Sequence, residues 1–329
     1  MKGFDAEFQD LDHYIRVITD RIWEQRRTND IATYYSDPCV VETPTSVSTR
    51  VQAVIDGTRA TQAMFPGRRL LAEDVIASGD EEGGFLSSHR IISPMTHASD
   101  GMFGKASGAK LHVRTIADCV CKDNRIVHEW LVRDQGAIAL QIGGTPQALA
   151  QRWVNERGGW SKPVAGPAPA YYQSHISNES LAQGYAQAIE AFSQGANPTE
   201  STYDDAVHHI GHGNVTRFGQ AEVAAYWTNL FGGLKVRQFS VEHLALQRGG
   251  GRADRCALRW RARCEAVSNA FSACNPKDSS VSSYQINSEQ EVELMAINHV
   301  EFYRGRVLRE WVVIDEVALW MQILEPQEQ

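Results

Sequence analysis

Two aspartates, Asp134 and Asp315, each follow a tryptophan by four residues, Trp130 and Trp311, in segments that read as strands. Alternate residues of a strand share a face. Ile126, His128, Trp130, Val132 and Asp134 are therefore expected on one side of the first strand. Val307, Arg309, Trp311, Val313 and Asp315 are expected together on the second, with Glu129 and Glu310 pointing oppositely. If the mainly apolar face lines a cavity, desolvation raises the carboxyl pKa toward neutrality, where it suits proton transfer. The competing reading is that both aspartates simply end their strands, as turn-forming residues do.

Other residue types could assist such a carboxyl. His97 lies in a loop near the expected mouth of the first cavity, where it could polarise a carbonyl; a local bond to backbone would also account for it. His89 alternates with Arg90 on a strand and is taken as the inward one. Tyr35 closes a tyrosine-bearing segment. In the second half, His208, His209 and His212 put three imidazoles within five residues. No HExxH or carboxylate-spaced triad accompanies them, so lining a pocket is the expectation and no metal is assigned. His243, Trp227, Trp130 and Trp311 complete the candidate substrate contacts, although large aromatics also fill cores. Arg255, Arg259, Arg261 and Arg263 fall largely on one strand face, which could be an anion-binding stripe and is more often a solvated face or a contact with the other domain.

These residues belong to a duplicated chain. Residues 116–142 and 297–323 match at an offset of 181, with nine of 27 positions identical, among them Glu129/Glu310, Trp130/Trp311 and Asp134/Asp315. Tyr35/Tyr203, Gly57/Gly219 and Glu73/Glu242 keep the same order upstream. A long self-match marks a repeated unit. Each copy opens on an amphipathic helix (Leu11, Tyr14, Ile15, Ile18 and Ile22; Leu181, Tyr185, Ile189 and Phe192, with Gly195 as the stop). Another helix is expected after Gly57 and after Gly219. Three or four strands follow, at about 70–78, 84–93, 109–121 and 125–134 in the first copy, with Asp123-Asn124 and Arg304-Gly305 as hairpin turns. Helices first and an antiparallel meander after them define α+β. The expected domains are 1–143 and 177–329. Between them, 144–176 reads as a linker with a short helix at 146–157 and Pro, Gly and Ala enrichment from Trp160 to Pro169.

The segments 65–91, 93–110 and 125–143 resemble the SnoaL-like polyketide cyclase family of the NTF2-like superfamily. The matching features are Phe65-Pro66 before the strands, Thr96-His97, Gly104, Gly108 and the Glu129-Trp130-x3-Asp134 ending; Tyr34-Tyr35-Ser36-Asp37 and Gly57 fit its front half. The second copy resembles the superfamily more loosely, through Gly219 and Glu310-Trp311-x3-Asp315. The resemblance implies two tandem cones, each a curved sheet on N-terminal helices. It implies an Asp near the sheet's end, Asp134 with Asp315 as its copy, acting as general acid/base in cofactor-free aldol chemistry. It also leaves open a non-catalytic ligand-binding or assembly module, and an intrachain pseudo-dimer or homo-oligomer.

Composition narrows the class further. The chain has 329 residues, 43% hydrophobic and 22% charged, which is globular. A net charge of −8 and the lack of nucleic-acid motifs argue against a nucleic-acid partner. No apolar run suits a bilayer and no secretory signal opens the chain. Six scattered cysteines read as reduced thiols, with Cys119 and Cys121 on one face, so a cytoplasmic setting is expected. No GxGxxG, Walker A or GxSxG pattern appears, so no cofactor is expected and the partner is a small-molecule substrate.

Overall fold

Asp10 starts the first helix by accepting a hydrogen bond from His13 N at 2.8 Å, which satisfies one of the free donors of a helix N-terminus. In this computed structural model, residues 1–165, 175–272 and 290–324 are described; residues 166–174 of the expected linker and Cys274 lie outside them. Helix α1 (Leu11–Thr19) buries Leu11, Tyr14, Ile15 and Ile18 and runs on through a π-helical turn carrying Ile22. A short α2 (Ile31–Tyr34) leads into β1 (Tyr35–Thr43), β2 (Ser46–Ser48) and α3 (Val51–Met64). Strands β3 (Leu71–Asp80), β4 (Gly84–Thr96), β5 (Lys110–Lys122) and β6 (Arg125–Arg133) form the expected antiparallel meander. The sheet order is β2-β1-β6-β5-β4-β3, with β1 parallel to β6, so the sheet is mixed. Asp123 and Asn124 take φ of 49° and 63°, the left-handed pair that a two-residue hairpin demands.

Two helices follow, α4 (Gln135–Gln141) and α5 (Pro146–Arg157), the latter at the expected place. Thr145 caps α5, Pro146 sits in its first turn, and Gly158 ends it at φ 70°. The plan then repeats. Helix α6 (Ser180–Ser193) buries Tyr185, Ile189 and Phe192, and α7 (Thr199–Thr202) leads into β7 (Tyr203–Ile210) and β8 (Thr216–Phe218). Helix α8 (Gly219–Gly232) buries Val223, Tyr226, Trp227, Leu230 and Phe231. Strands β9 (Leu234–Gln247), β10 (Asp254–Ala266), β11 (Gln290–Tyr303) and β12 (Arg306–Ile314) complete the order β8-β7-β12-β11-β10-β9, before α9 (Glu316–Ile323). The chain is thus a tandem of two six-stranded α+β units of one topology.

The units do not divide where the repeat boundary suggests. The first compact unit is built on Met1–Arg133; the second takes Asp134–Trp160 together with the chain from Ile176. The expected boundary at 143 moves because α5 packs on α9 and α4 packs beside Asn214. Among the described residues, no helix is long and apolar enough to cross a membrane.

In the first unit the helices cover the sheet face that carries Val75, Ala117, Cys119, Cys121 and Ile126. Cys119 and Cys121 share that face, as the sequence predicts. The phase expected for β6 is reversed beyond Ile126. Cys121 pairs with Ile126 but Val120 pairs with His128, so Val127 is an extra residue in a bulge. One inserted residue turns the remainder of a strand over. Glu129, Leu131 and Arg133, opposite Cys119, Ala117 and Thr115, face the helices, and His128, Trp130 and Val132 face away. The second unit repeats this at Leu308, which sends Glu310 inward and Trp311 outward.

Candidate functional site

The helix-covered face of the first unit holds a carboxyl that strict alternation along β6 places outside. Glu129 is 5% exposed and accepts a hydrogen bond from Tyr35 Oη at 3.0 Å. Tyr35 reaches it because β1 lies parallel beside β6, with Val41 opposite Glu129. Burial pushes the Glu129 carboxyl up to about 7, against the pull of Tyr35 and of Arg133 further along the same face. Burial, and then the Glu129 charge, hold the Cys39 and Cys119 thiols well above their ordinary range, so both stay neutral.

Two further polar groups line this face. His89, opposite Ala117 on β5 and Val75 on β3, is 3% exposed. Burial, helped by Arg16, lowers it to about 3, so it is a neutral imidazole, and its Nε2 has no hydrogen-bond partner. Thr115, opposite Arg133, is also buried with its Oγ1 unpartnered. Buried polar atoms without partners are costly and call for an explanation. A buried carboxyl raised toward neutrality and unmet hydrogen-bonding atoms on one sheet face mark this as the candidate site of the first unit.

The second unit keeps the Tyr–Glu pair and fills in around it. Glu310 Oε1 accepts from Tyr185 Oη at 2.5 Å and Tyr203 Oη at 2.9 Å, and Oε2 lies 2.7 Å from His209 Nδ1. Asn298 Nδ2 donates to Tyr185 Oη, and Trp227 Nε1 donates to Tyr203 Oη. The first unit has Val41 where the second has His209, and Ala117 where the second has Asn298. Those two exchanges leave Glu129 with the Tyr35 hydroxyl, where Glu310 has three partners.

The remaining sequence candidates fall in several places. Asp134 is buried and caps α4, accepting from Ala137 N at 2.9 Å and Asn214 N at 3.1 Å, within the second unit rather than the first. Burial raises it to about 7 despite these backbone donors. Asp315 caps α9 through Ala318 N and accepts from Gln135 Nε2 at 2.6 Å. The carboxyls are tucked away from water as expected, but their oxygens are engaged by helix starts. His97 is fully buried; its backbone pairs with Ala109 and Gly108, and its Nδ1 lies 3.1 Å from Ser107 Oγ, so the loop-anchoring reading describes it. Trp130 stacks on His128 at 4.0 Å on the face away from Glu129, and Trp311 occupies the same face of its own sheet. His208 is exposed against Phe218, and His243 sits opposite Arg259 on the face away from Glu310. His212 bonds Phe271 O and lies 3.1 Å from Tyr226 Oη, and the Tyr226 ring also packs on His209, while His208 is exposed on the other face of β7. Among the described residues, no group of three or more His, Cys, Asp or Glu could hold a metal ion. Of the candidates, Tyr35 and His89 join Glu129 inside the first unit, and His209 and Trp227 join Glu310 inside the second.

The capping role gives a direct expectation. Asp134→Ala should cost about 1–3 kcal/mol, from a lost helix cap and the lost acceptor of the partly buried Asn214 backbone N–H. Chemical denaturation read by tryptophan fluorescence measures this, and an unchanged midpoint would contradict the capping assignment.

No family model matches the chain, and no curated protein sequence matches it. Solved structures are similar to it. A SnoaL-like polyketide cyclase from Agrobacterium tumefaciens is 20% identical, covering 41% of this chain and 99% of its own, with a TM-score of 0.34. IdmH from Streptomyces antibioticus, a candidate polyketide cyclase, is 18% identical over 40% of this chain and 97% of its own, with a TM-score of 0.36. TsrD from Streptomyces laurentii is 13% identical over 43% and 98%, with a TM-score of 0.36. The two sheets show the fold class: a tandem of α+β units of one strand order. Which chemistry it supports depends on the residues above.

Proposed function

We propose that the first unit is a cofactor-independent acid/base catalyst acting on a small organic molecule that carries a carbonyl or an ester. Glu129 takes a proton from the carbon next to the carbonyl, and the enolate electrons then attack, shift or expel a leaving group. The proton held on Glu129 returns to the product, so the enzyme ends as it began. This proton traffic serves aldol cyclisation, isomerisation or dehydration; in hydrolysis Glu129 takes the proton instead from a water that attacks the ester carbonyl, and returns it to the departing alcohol. Tyr35 donates to the carboxylate as it forms, and His89, a neutral imidazole, orients the substrate oxygen. The observation that carries the reading is a buried Glu129 set near neutrality by its surroundings, which matches a base to its working pH. Glu129 replaces Asp134 in this role because the Asp134 oxygens cap a helix in the other unit.

The second unit is proposed as scaffold. Its equivalent carboxyl is surrounded by Tyr185, Tyr203 and His209, so both of its oxygens are already engaged within the core. The test is a thermal-shift screen of carbonyl-containing metabolites, since a ligand of the native state raises its melting point. Each hit is then followed for turnover by wild type, Glu129→Gln and Glu310→Gln. Full turnover by Glu129→Gln would end the proposal.

A further inference from the structure

Arg68 is a buried charge that the first unit does not neutralise. It stands just after Phe65-Pro66-Gly67, with its backbone N–H bonded to Phe65 O at 2.9 Å. Its side chain is 3% exposed, with the guanidinium 4.9 Å above the Trp23 ring. Nη2 reaches Ser93 Oγ at 3.4 Å, a weak bond, and Nε has no partner. Among the described residues no carboxylate stands within ion-pair distance of it. The chain treats its other buried arginines differently: Arg90 pairs with Glu73 and Arg259 with Glu242, each at 3.2 Å. A buried cation is normally paired, because desolvation is otherwise uncompensated.

A second guanidinium stands near Arg68. Burial and then the Arg133 charge lower its pKa well below the ordinary guanidinium value, so the two cations feel each other. Arg133 also acts on Glu129, and it lies opposite Thr115, whose Oγ1 is unpartnered. Ser93, opposite Val113, lies two residues beyond Ile91, which pairs with Thr115, so both hydroxyls are on the same sheet face. Two guanidiniums and two hydroxyls therefore gather at one end of the face that carries Glu129.

We propose that this end of the first unit's interior binds a carboxylate of the substrate, held by Arg68 and Arg133 with Ser93 and Thr115 as further donors. The inference rests on the catalytic reading of the same interior and narrows it: the substrate is an organic acid that also bears the reacting carbonyl. A carboxylate fits better than a phosphate dianion because one negative charge costs less to take out of water into so buried a place than two.

Benzoate and acetate serve as probes, with benzamide as the neutral isostere and inorganic phosphate as the rival anion. Melting shifts and calorimetric titration of the full chain should show binding of at least one carboxylate and none of benzamide. Arg68→Met should weaken that binding by about tenfold or more, the loss of a charge-assisted hydrogen bond. It should also leave the unliganded protein at least as stable as wild type, since it removes an unpaired buried charge. Arg133→Met should weaken the same binding, which keeps the test decisive if the first variant does not fold. Equal binding of benzamide, undiminished carboxylate binding in both Arg variants, or silence of both carboxylates overturns the proposal, and so does phosphate binding as tightly as they do. Glu129→Gln should keep the carboxylate affinity, so a failed anion site and a failed proton-transfer site give different results.

Discussion

Glu129→Gln is expected to lower turnover of any substrate found by roughly 10²- to 10⁴-fold, the usual contribution of a positioned proton-transfer group. The same change should alter how stability depends on pH, which can be measured before a substrate is known. The ordinary value for a glutamate is 4.5, and burial raises Glu129 to about 7. Below pH 4.5 the group is neutral in both folded and unfolded chains, so it imposes no penalty. As pH rises toward 7 the unfolded chain gives up the proton and the native state keeps it, so wild type loses stability. Above about 7 the penalty is complete, at about 3 kcal/mol. The amide that replaces the carboxyl in the variant is neutral throughout and can still accept from Tyr35. The variant should match wild type near about pH 4 and exceed it near about pH 8. Asp134, also raised to about 7, adds the same slope to both proteins and cancels in the comparison. Urea denaturation at the two pH values measures the difference; equal gaps at both would mean Glu129 titrates normally. In turnover, the wild-type rate should fall below an apparent pKa near about 7, because the base must be ionised to act.

The helices and turns were legible because their signals are local. Leu11, Tyr14, Ile15 and Ile18 recur at helical spacing and do form α1; Asp123-Asn124 does make the hairpin. The duplication was legible because identities survive at one offset. The inward face of β6 was not, since Val127 and Leu308 bulge without any mark in composition. Strict alternation then assigned Trp130 to the interior and Glu129 to the exterior. Two clues to the true pair were present: Glu129/Glu310 is among the identities, and Tyr35/Tyr203 is among the upstream echoes. Joining them requires knowing that β1 and β7 return to lie parallel beside β6 and β12, a long-range pairing that no local pattern encodes. Arg68 was hidden for a different reason. It adjoins Arg69, which lies on the surface against Glu24, and only burial separates the two. Asp134 and Asp315 were found for the right property, burial, but their role follows from the helices that begin at the next residue.

The duplicated Tyr–Glu pair also yields the largest stability effect, in the opposite direction from Glu129. Glu310→Leu should destabilise the second unit by about 3–5 kcal/mol, because it strips a buried acceptor from three groups at once. Tyr185, Tyr203 and His209 are each at most 1% exposed, so water cannot replace the lost carboxylate without the core opening. The loss spreads through Tyr185 to Asn298 and on to Trp260, and through Tyr203 to Trp227. Helices α6 and α8 and strands β7, β10, β11 and β12 all contribute to that network. For a unit of this size the drop corresponds to about 6–20 °C in melting temperature. Glu310→Gln keeps one carbonyl oxygen for the tyrosines and turns an amide toward His209, which can answer by accepting, so its cost should be clearly smaller. Glu129→Leu removes the Tyr35 hydrogen bond together with a poorly solvated carboxyl, so near about pH 8 it should cost far less than Glu310→Leu. Calorimetry of the three variants gives the ranking. If Glu310→Leu melts with wild type, the network does not support the second unit, and the division into one working interior and one filled interior fails with it.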